Sequence, residues 1–119
     1  MKGRETFPKS ARLRKRPEFL RLSRTGRKHH SANFVVISQP NERAETRLGI
    51  TVSGKVGNSV VRNRIKRQVR EFFRRRRGEL PPACDILIIA RTSAAELSGK
   101  RVTDELERTL VLRSVHRKS

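Results

Sequence analysis

The chain has no Tyr and no Trp, and its five aromatic residues are all Phe. It has one Met and one cysteine, Cys84. A single cysteine excludes an internal disulfide, and its place at the head of an apolar run reads as a small buried hydrophobe. Acids are scarce: 11 Asp plus Glu stand against 30 Lys plus Arg, a formal net charge of +19 over 119 residues. No apolar run approaches the ~18 residues that a membrane helix needs. The opening MKGRETFPKSARLRKR lacks the apolar centre of a signal peptide. No internal repeat or long linker divides the chain. These features read as one cytoplasmic domain, with 34% apolar residues for a modest core.

Catalytic patterns are missing too. No H-E-x-x-H, paired Cys-x-x-Cys or G-x-S-x-G occurs. The acids Asp85, Glu96, Asp104, Glu105 and Glu107 fall at a strand start or on the last helix. Asp104 and Glu107 read as partners of Arg101 and Arg108 rather than as a metal-binding dyad. Phosphodiester cleavage with Mg²⁺ needs converging carboxylates, and none assemble here. His29 and His30 are adjacent, so they face different ways, and no other ligand types cluster beside them. The chain therefore reads as a binder with no catalytic residue and no metal or cofactor of its own.

What is present is a strongly basic stretch from Asn58 to Arg77, NSVVRNRIKRQVREFFRRRR. Its apolar residues Val61, Ile65, Val69, Phe72 and Phe73 recur at the spacing of one helix face. Asn63, Lys66, Arg67, Arg70, Arg74 and Arg77 fall opposite, and Arg62, Arg64, Arg75 and Arg76 flank the stripe. Glu71 is the only acid in the stretch. Asn58 is placed to cap the first turn, Gly78 to stop the helix in a left-handed conformation, and Pro81–Pro82 to bar its continuation. Cations of one sign along a helix repel each other unless a polyanion meets them. Arg predominates, and its planar fork suits phosphate.

Around this helix the other elements fall in order. A short helix is expected near Pro17, with Leu13, Phe19, Leu20 and Leu22 as its apolar contacts and an end at Thr25–Gly26. Arg27–His30 reads as a basic loop. Strands are expected at Asn33–Gln39 and Thr46–Ser53, joined by a polar hairpin loop at Pro40–Glu45. In the second strand Leu48, Ile50 and Val52 take the core side. Arg47, Gly49, Thr51 and Ser53 take the other, which leaves room for a ligand near the backbone. Cys84–Ala90 is apolar on both faces, as in a strand covered on both sides. Ser93 with Glu96 forms a capping box for a last helix, which either starts there or restarts near Gly99. Its stripe is Val102, Leu106 and Leu110, with the Arg113 stem. The reading is an α+β domain of order α-β-β-α-β-α. A small mixed sheet carries helices on one face, and the first helix lies at an edge. Residues 1–11 form a flexible basic N-terminus, 12–115 a single RNA-binding domain, and 116–119 a flexible tail.

Four residue patterns sharpen this. The run KVGNSVVRNRIKRQVR, from Lys55 to Arg70, resembles the signature of the bacterial ribonuclease P protein component. RLRKRPEF (12–19), LGITVS (48–53) and DILIIAR (85–91) resemble the same family in order and spacing. The resemblance spans roughly residues 12–113. It implies a fold similar to the second domain of ribosomal protein S5, with a left-handed βαβ crossover against the usual handedness. It implies a protein subunit that joins a catalytic RNA and precursor tRNA to remove the 5′ leader. The RNA holds Mg²⁺ and carries the chemistry, with no membrane and no protein partner required. By the same resemblance Arg62, Asn63, Arg64, Lys66, Arg67 and Arg70 contact the catalytic RNA. Arg12, Phe19, Phe34, Val35, Ile37 and Thr51 line a leader-binding cleft between the first helix and the sheet, with Lys55 and Asn58 on its rim. Ser59 stands where Ala is usual, and Ser23 and Ile37 where many members carry aromatics. Base stacking on aromatics is worth ~1–3 kcal/mol per base, so the grip here falls more to Arg, Lys and apolar contact. From the residues alone, a ribosomal or general RNA-binding protein, a membrane-active basic helix and a protein-only nuclease are the competing readings.

Overall fold

Residues 12–13, 16–41, 43, 45–80 and 83–112 are described by the computed structural model, without the side chains of Arg77, Val111 and Leu112. The expectations for residues 1–11, the Arg77 side chain, Pro81–Pro82, Arg113 and the tail 116–119 lie outside them. The elements run α1 (Arg16–Thr25), β1 (Arg27–His30), β2 (Phe34–Pro40), β3 (Arg47–Thr51), α2 (Ser59–Arg76), β4 (Cys84–Ala90) and α3 (Gly99–Leu106). Short helical turns follow α2 at Arg77–Glu79, precede α3 at Thr92–Glu96 and extend it at Glu107–Leu112.

The four strands lie in the order β1-β2-β4-β3. β2 pairs antiparallel with both β1 and β4, and β3 pairs parallel with β4. α2 is thus the crossover between two neighbouring parallel strands, the connection that the family resemblance implies. Two local expectations are corrected. Arg27–His30 is a strand rather than a loop, because it supplies an antiparallel partner for Val35–Ser38. Pro40–Glu45 is no hairpin loop, because β4 lies between β2 and β3.

β4 is covered on both faces, as its unbroken apolar run predicts. On one side Ile86, Ile88 and Ala90 join Phe34, Val36 and Leu48 beneath Ile65, Val69, Phe72 and Phe73 of α2 and Val102 and Leu106 of α3. Burying each Phe contributes about 1.5–3 kcal/mol, which fixes α2 by its apolar stripe. On the other side Leu87 and Ile37 pack with Leu13 and Leu22. Here the helices-on-one-face expectation fails: α1 covers the second face rather than an edge. Leu20 points away from this packing and is 47% exposed.

Gly49 explains how α1 comes so close. A Cβ at that position would stand 3.0 Å from the Leu13 Cβ and 3.1 Å from the Phe19 ring. The space beside Gly49 is therefore filled by the protein's own side chains, while Thr51, further along, is half-buried and Ser53, past the strand end, is exposed.

The α1 face also holds a buried ion pair. Asp85 is 1% exposed, and its carboxylate accepts from Arg47 Nε at 2.9 Å and Nη2 at 2.8 Å. Arg47 Nη1 reaches Glu18 of α1 at 3.1 Å, Arg21 of α1 reaches Asp85 at 3.3 Å, and Asn41 donates to Asp85 at 2.8 Å. Burial pushes the Asp85 carboxyl upward, but the bonds from Arg47 and Asn41 and the nearby charges bring it below its ordinary value. Glu105 of α3 repeats the pattern at the β1–β2 turn. It accepts from the Ser31 hydroxyl, and from Asn33 N and Nδ2 at 2.7 Å each. Burial raises its pKa too, and these bonds again bring it below the ordinary value.

The helix ends differ in part from expectation. Asn58 Oδ1 accepts from Val61 N at 3.0 Å, so the N-cap stands. Gly78 lies in the Arg77–Glu79 turn without a positive φ; among the described residues only Ala83 has one, at 54°. The capping box at Ser93 does not form. Ser98 caps α3 by accepting from Arg101 N at 3.2 Å, so the helix starts at Gly99. Val102, Leu106 and Leu110 are buried as the stripe requires.

Replacing Asp85 by Ala strips the buried Arg47 Nε and Nη2 of their acceptor and leaves Glu18 as the carboxylate still in reach. Denaturant unfolding should show a loss of about 3–5 kcal/mol. The folded-state pKa values of Asp85 and Glu105 lie below their ordinary 3.8 and 4.5. Their stabilisation is therefore complete above the unfolded values and is lost as pH falls through the folded ones. Unfolding followed across pH should show a loss that sets in below about pH 4, and this loss should shrink in Asp85→Asn and in Glu105→Gln.

Candidate nucleic-acid interface

α2 turns its apolar side to the sheet, so its cations meet solvent, carboxylates or nearby backbone carbonyls. The two ends of the helix differ in which they find. Near the C-terminus Glu71 pairs with Arg74 at 2.5 Å and Arg75 at 3.1 Å, while Arg76 pairs with Glu79 at 3.1 Å and Glu107 at 3.2 Å. Cations there also suit the negative end of the helix dipole. Among the described residues, no carboxylate pairs with Arg62, Arg64, Lys66, Arg67 or Arg70. Asn63, Arg67 and Arg70 are exposed and Lys66 is half-buried.

Two of these side chains are held by the protein itself. Arg62 Nε donates to the Gly57 carbonyl at 3.2 Å and its Nη2 to Ser59 Oγ at 3.3 Å. Arg64 Nη2 donates to the Ala95 carbonyl, and its buried Nε has no partner. Burial and the charge of Arg12 lower the Arg70 pKa, so these two guanidinium groups share one field. Arg12 lies beside Leu48 at the β3 edge, where Leu13 N donates to the Leu48 carbonyl at 2.8 Å. The cationic surface thus runs from α2 around the edge strand. A shallow groove between α2 and α3 is lined by Arg67, Gln68, Glu71, Arg75, Gly99, Lys100 and Thr103. Gly49–Lys55 has the spacing of a phosphate-binding loop, but Val56 follows Lys55 in place of a hydroxyl residue, and residues 49–51 lie inside β3.

The second surface is the open end of the α1 face. Cross-strand register sets Thr51 beside Ile89 and Ile89 beside Val35. All three are half-buried, as is Phe19 of α1, which packs at the same place. Lys55 is exposed in the turn before α2.

Comparisons with known proteins match this pairing of a basic crossover helix with a two-sided sheet. The sequence profile of the family described as Ribonuclease P matches residues 7–113. The ribonuclease P protein component of Desulforapulum autotrophicum is 49% identical over 104 residues, covering 87% of this chain and 89% of that protein. That of Citrifermentans bemidjiense is 47% identical over 100 residues, covering 84% and 85%. The chain belongs to the ribonuclease P protein family. The RNase P protein of Staphylococcus aureus superposes with a TM-score of 0.81 at 37% identity, over 90% of this chain and 96% of that one. The RNase P protein from Thermotoga maritima gives 0.78 at 36% identity, over 83% and 94%. Membership of the ribonuclease P protein family makes the chain a component of an RNA-binding enzyme of tRNA processing.

The site residues expected by that resemblance divide. Phe19, Val35 and Thr51 come together at the open end of the α1 face. Phe34 does not: it is fully buried on the opposite face, under α2 and α3, because β2 alternates sides. Ile37 faces α1 but is 2% exposed beneath it, so it forms the floor of the packing and not a cleft wall. Asn58 lies near Lys55, with its side chain engaged as the α2 cap. Asp104 pairs with Lys100 at 3.1 Å and Glu107 with Arg76, rather than with Arg101 and Arg108. Sequence reasoning missed Arg91, which stands just past β4 with its Nη2 3.0 Å from His30 Nδ1. Only the strand register reveals that neighbour.

Unpaired and carboxylate-paired arginines should behave differently towards RNA. Arg67→Ala with Arg70→Ala should flatten the salt dependence of RNA binding by about one unit for each phosphate left without its arginine. Arg75→Ala with Arg76→Ala, whose charges Glu71, Glu79 and Glu107 already offset, should flatten it less. Filter binding or anisotropy across a salt series separates the two pairs.

Proposed function

We propose that this chain is the protein subunit of the ribonuclease P ribonucleoprotein in the cytoplasm. It binds the catalytic RNA through the N-terminal part of α2 and the 5′ leader of precursor tRNA through the open end of the α1 face. Arg67 and Arg70, with Lys66 and Asn63, meet the phosphates of the catalytic RNA. Arg62 and Arg64 contribute charge from positions held against Gly57, Ser59 and Ala95. Phe19, Val35, Ile89 and Thr51 form the floor over which the leader passes, with Arg12 and Lys55 beside it.

The observation that carries this reading is the uneven placement of carboxylates along α2. A merely solvated basic helix gains by pairing its cations along its whole length. Here the C-terminal arginines are paired, and those from Arg62 to Arg70 meet no carboxylate among the described residues. The protein does not perform the cleavage. Its buried carboxylates, Asp85 and Glu105, are already engaged by Arg47 and by Ser31 and Asn33, so they are not available to bind Mg²⁺. The RNA holds the metal and supplies the chemistry. The protein offsets phosphate repulsion between catalytic RNA and substrate, and it positions the leader.

Adding the purified chain to its cognate catalytic RNA at low Mg²⁺ should stimulate leader removal, and the need for Mg²⁺ should fall. Unchanged cleavage kinetics would refute the assignment. Cleavage by the chain with RNA rigorously removed would refute the division of labour.

A further inference from the structure

The cleft floor does not stop at Val35. Register continues across the sheet to β1, where His30 is the partner of Val35. Thr51, Ile89, Val35 and His30 therefore form one row on the α1 face, three strand spacings of about 4.8 Å in length. The preceding row, with Gly49, Leu87 and Ile37, is buried under α1. The Thr51–His30 row becomes more open towards β1, and His30 itself is exposed.

Arg91 closes that end. Its Nη2 lies 3.0 Å from His30 Nδ1. A guanidinium only donates, so Nδ1 accepts and the ring proton sits on Nε2. The Nε2–H is then a donor free to face a ligand. Arg91 is exposed, and among the described residues no carboxylate pairs with it. Its backbone N donates to the Asn33 carbonyl at 2.9 Å, and Ser31 N donates to the Phe34 carbonyl at 2.8 Å. Glu105 holds Ser31 and Asn33 from the other face. The pair is thus mounted on a braced turn rather than on a loose loop.

We propose that His30 and Arg91 form a second grip on the single-stranded RNA, at the β1 end of the row and distal to Thr51. The inference rests on the reading that this row holds the leader. Arg91 takes a backbone phosphate with its planar fork. His30 Nε2–H donates to a base or ribose oxygen, and its ring offers the flat face that a chain without Tyr or Trp otherwise lacks on β1. The apolar floor of Val35 and Ile89 lies between this grip and Thr51.

The test uses the reconstituted holoenzyme and precursor tRNAs whose leaders are shortened one nucleotide at a time. Equilibrium affinity is measured for the wild type, His30→Ala, Arg91→Ala and Arg91→Gln. Each variant should lose about tenfold on long leaders and nothing on the shortest. The two Arg91 variants should also flatten the salt slope by about one unit on long leaders only. Both side chains are exposed, and an unchanged melting temperature checks that the domain is intact. A loss of equal size at every leader length overturns the proposal, as does no loss at all. If the wild type itself is indifferent to leader length, the cleft reading fails and this one with it. If the wild type responds to length and all three variants respond equally, only the His30–Arg91 grip fails.

Discussion

Thirty cations share this small fold with eleven carboxylates, and the destinations of those carboxylates decide what the surface does. Asp85 and Glu18 gather Arg47 and Arg21 and tie α1 to the sheet. Glu105 braces the turn between β1 and β2. Glu71, Glu79 and Glu107 offset the C-terminal arginines of α2. Arg67 and Arg70 are left facing outward, and among the described residues no carboxylate meets any cation from Arg62 to Arg70. A basic protein that neutralised itself evenly would have no face to offer a polyanion. This one neutralises selectively, at the joints of its architecture.

The same selectivity sets two surfaces back to back. β4 is central and covered on both sides, so α2 and α1 are docked on opposite faces by separate apolar clusters. The cationic rod and the open row lie on different sides of one sheet, joined around the β3 edge by Arg12 and Arg70. Under the proposed function, a large folded RNA and a single strand then need not compete for the same side chains. The buried Arg47–Asp85 pair is the mechanical link. It holds α1 in register, and α1 carries Phe19 to the cleft. Gly49 permits the close approach that makes the pair and the packing compatible.

The basic helix was legible at once, because its stripe from Val61 to Phe73 and its one-signed opposite face are local patterns with a period of 3.6. The strands β2, β3 and β4 were legible for the same reason, by alternation or by an unbroken apolar run. Less legible were features that depend on partners distant in the chain. Arg27–His30 has no strand composition, and it becomes a strand only because the edge of β2 is open to it. Phe34 and Ile37 lie three residues apart on β2, so they fall on opposite faces. The motif resemblance, which carries no geometry, could not assign those faces. Ser98 rather than Ser93 caps α3, since the Thr92–Glu96 turn ends before a full helix can begin.

The amino-acid order by itself determined the charge, the helix that displays it and the family. Those properties follow from composition, periodicity and short motifs, which need no knowledge of what lies across the sheet. Tertiary structure alone decided which arginines stay unpaired, that α1 takes the second face, and that His30 meets Arg91. Each of these turns on contacts between residues far apart in sequence, and such contacts are set by packing and strand register rather than by local preference.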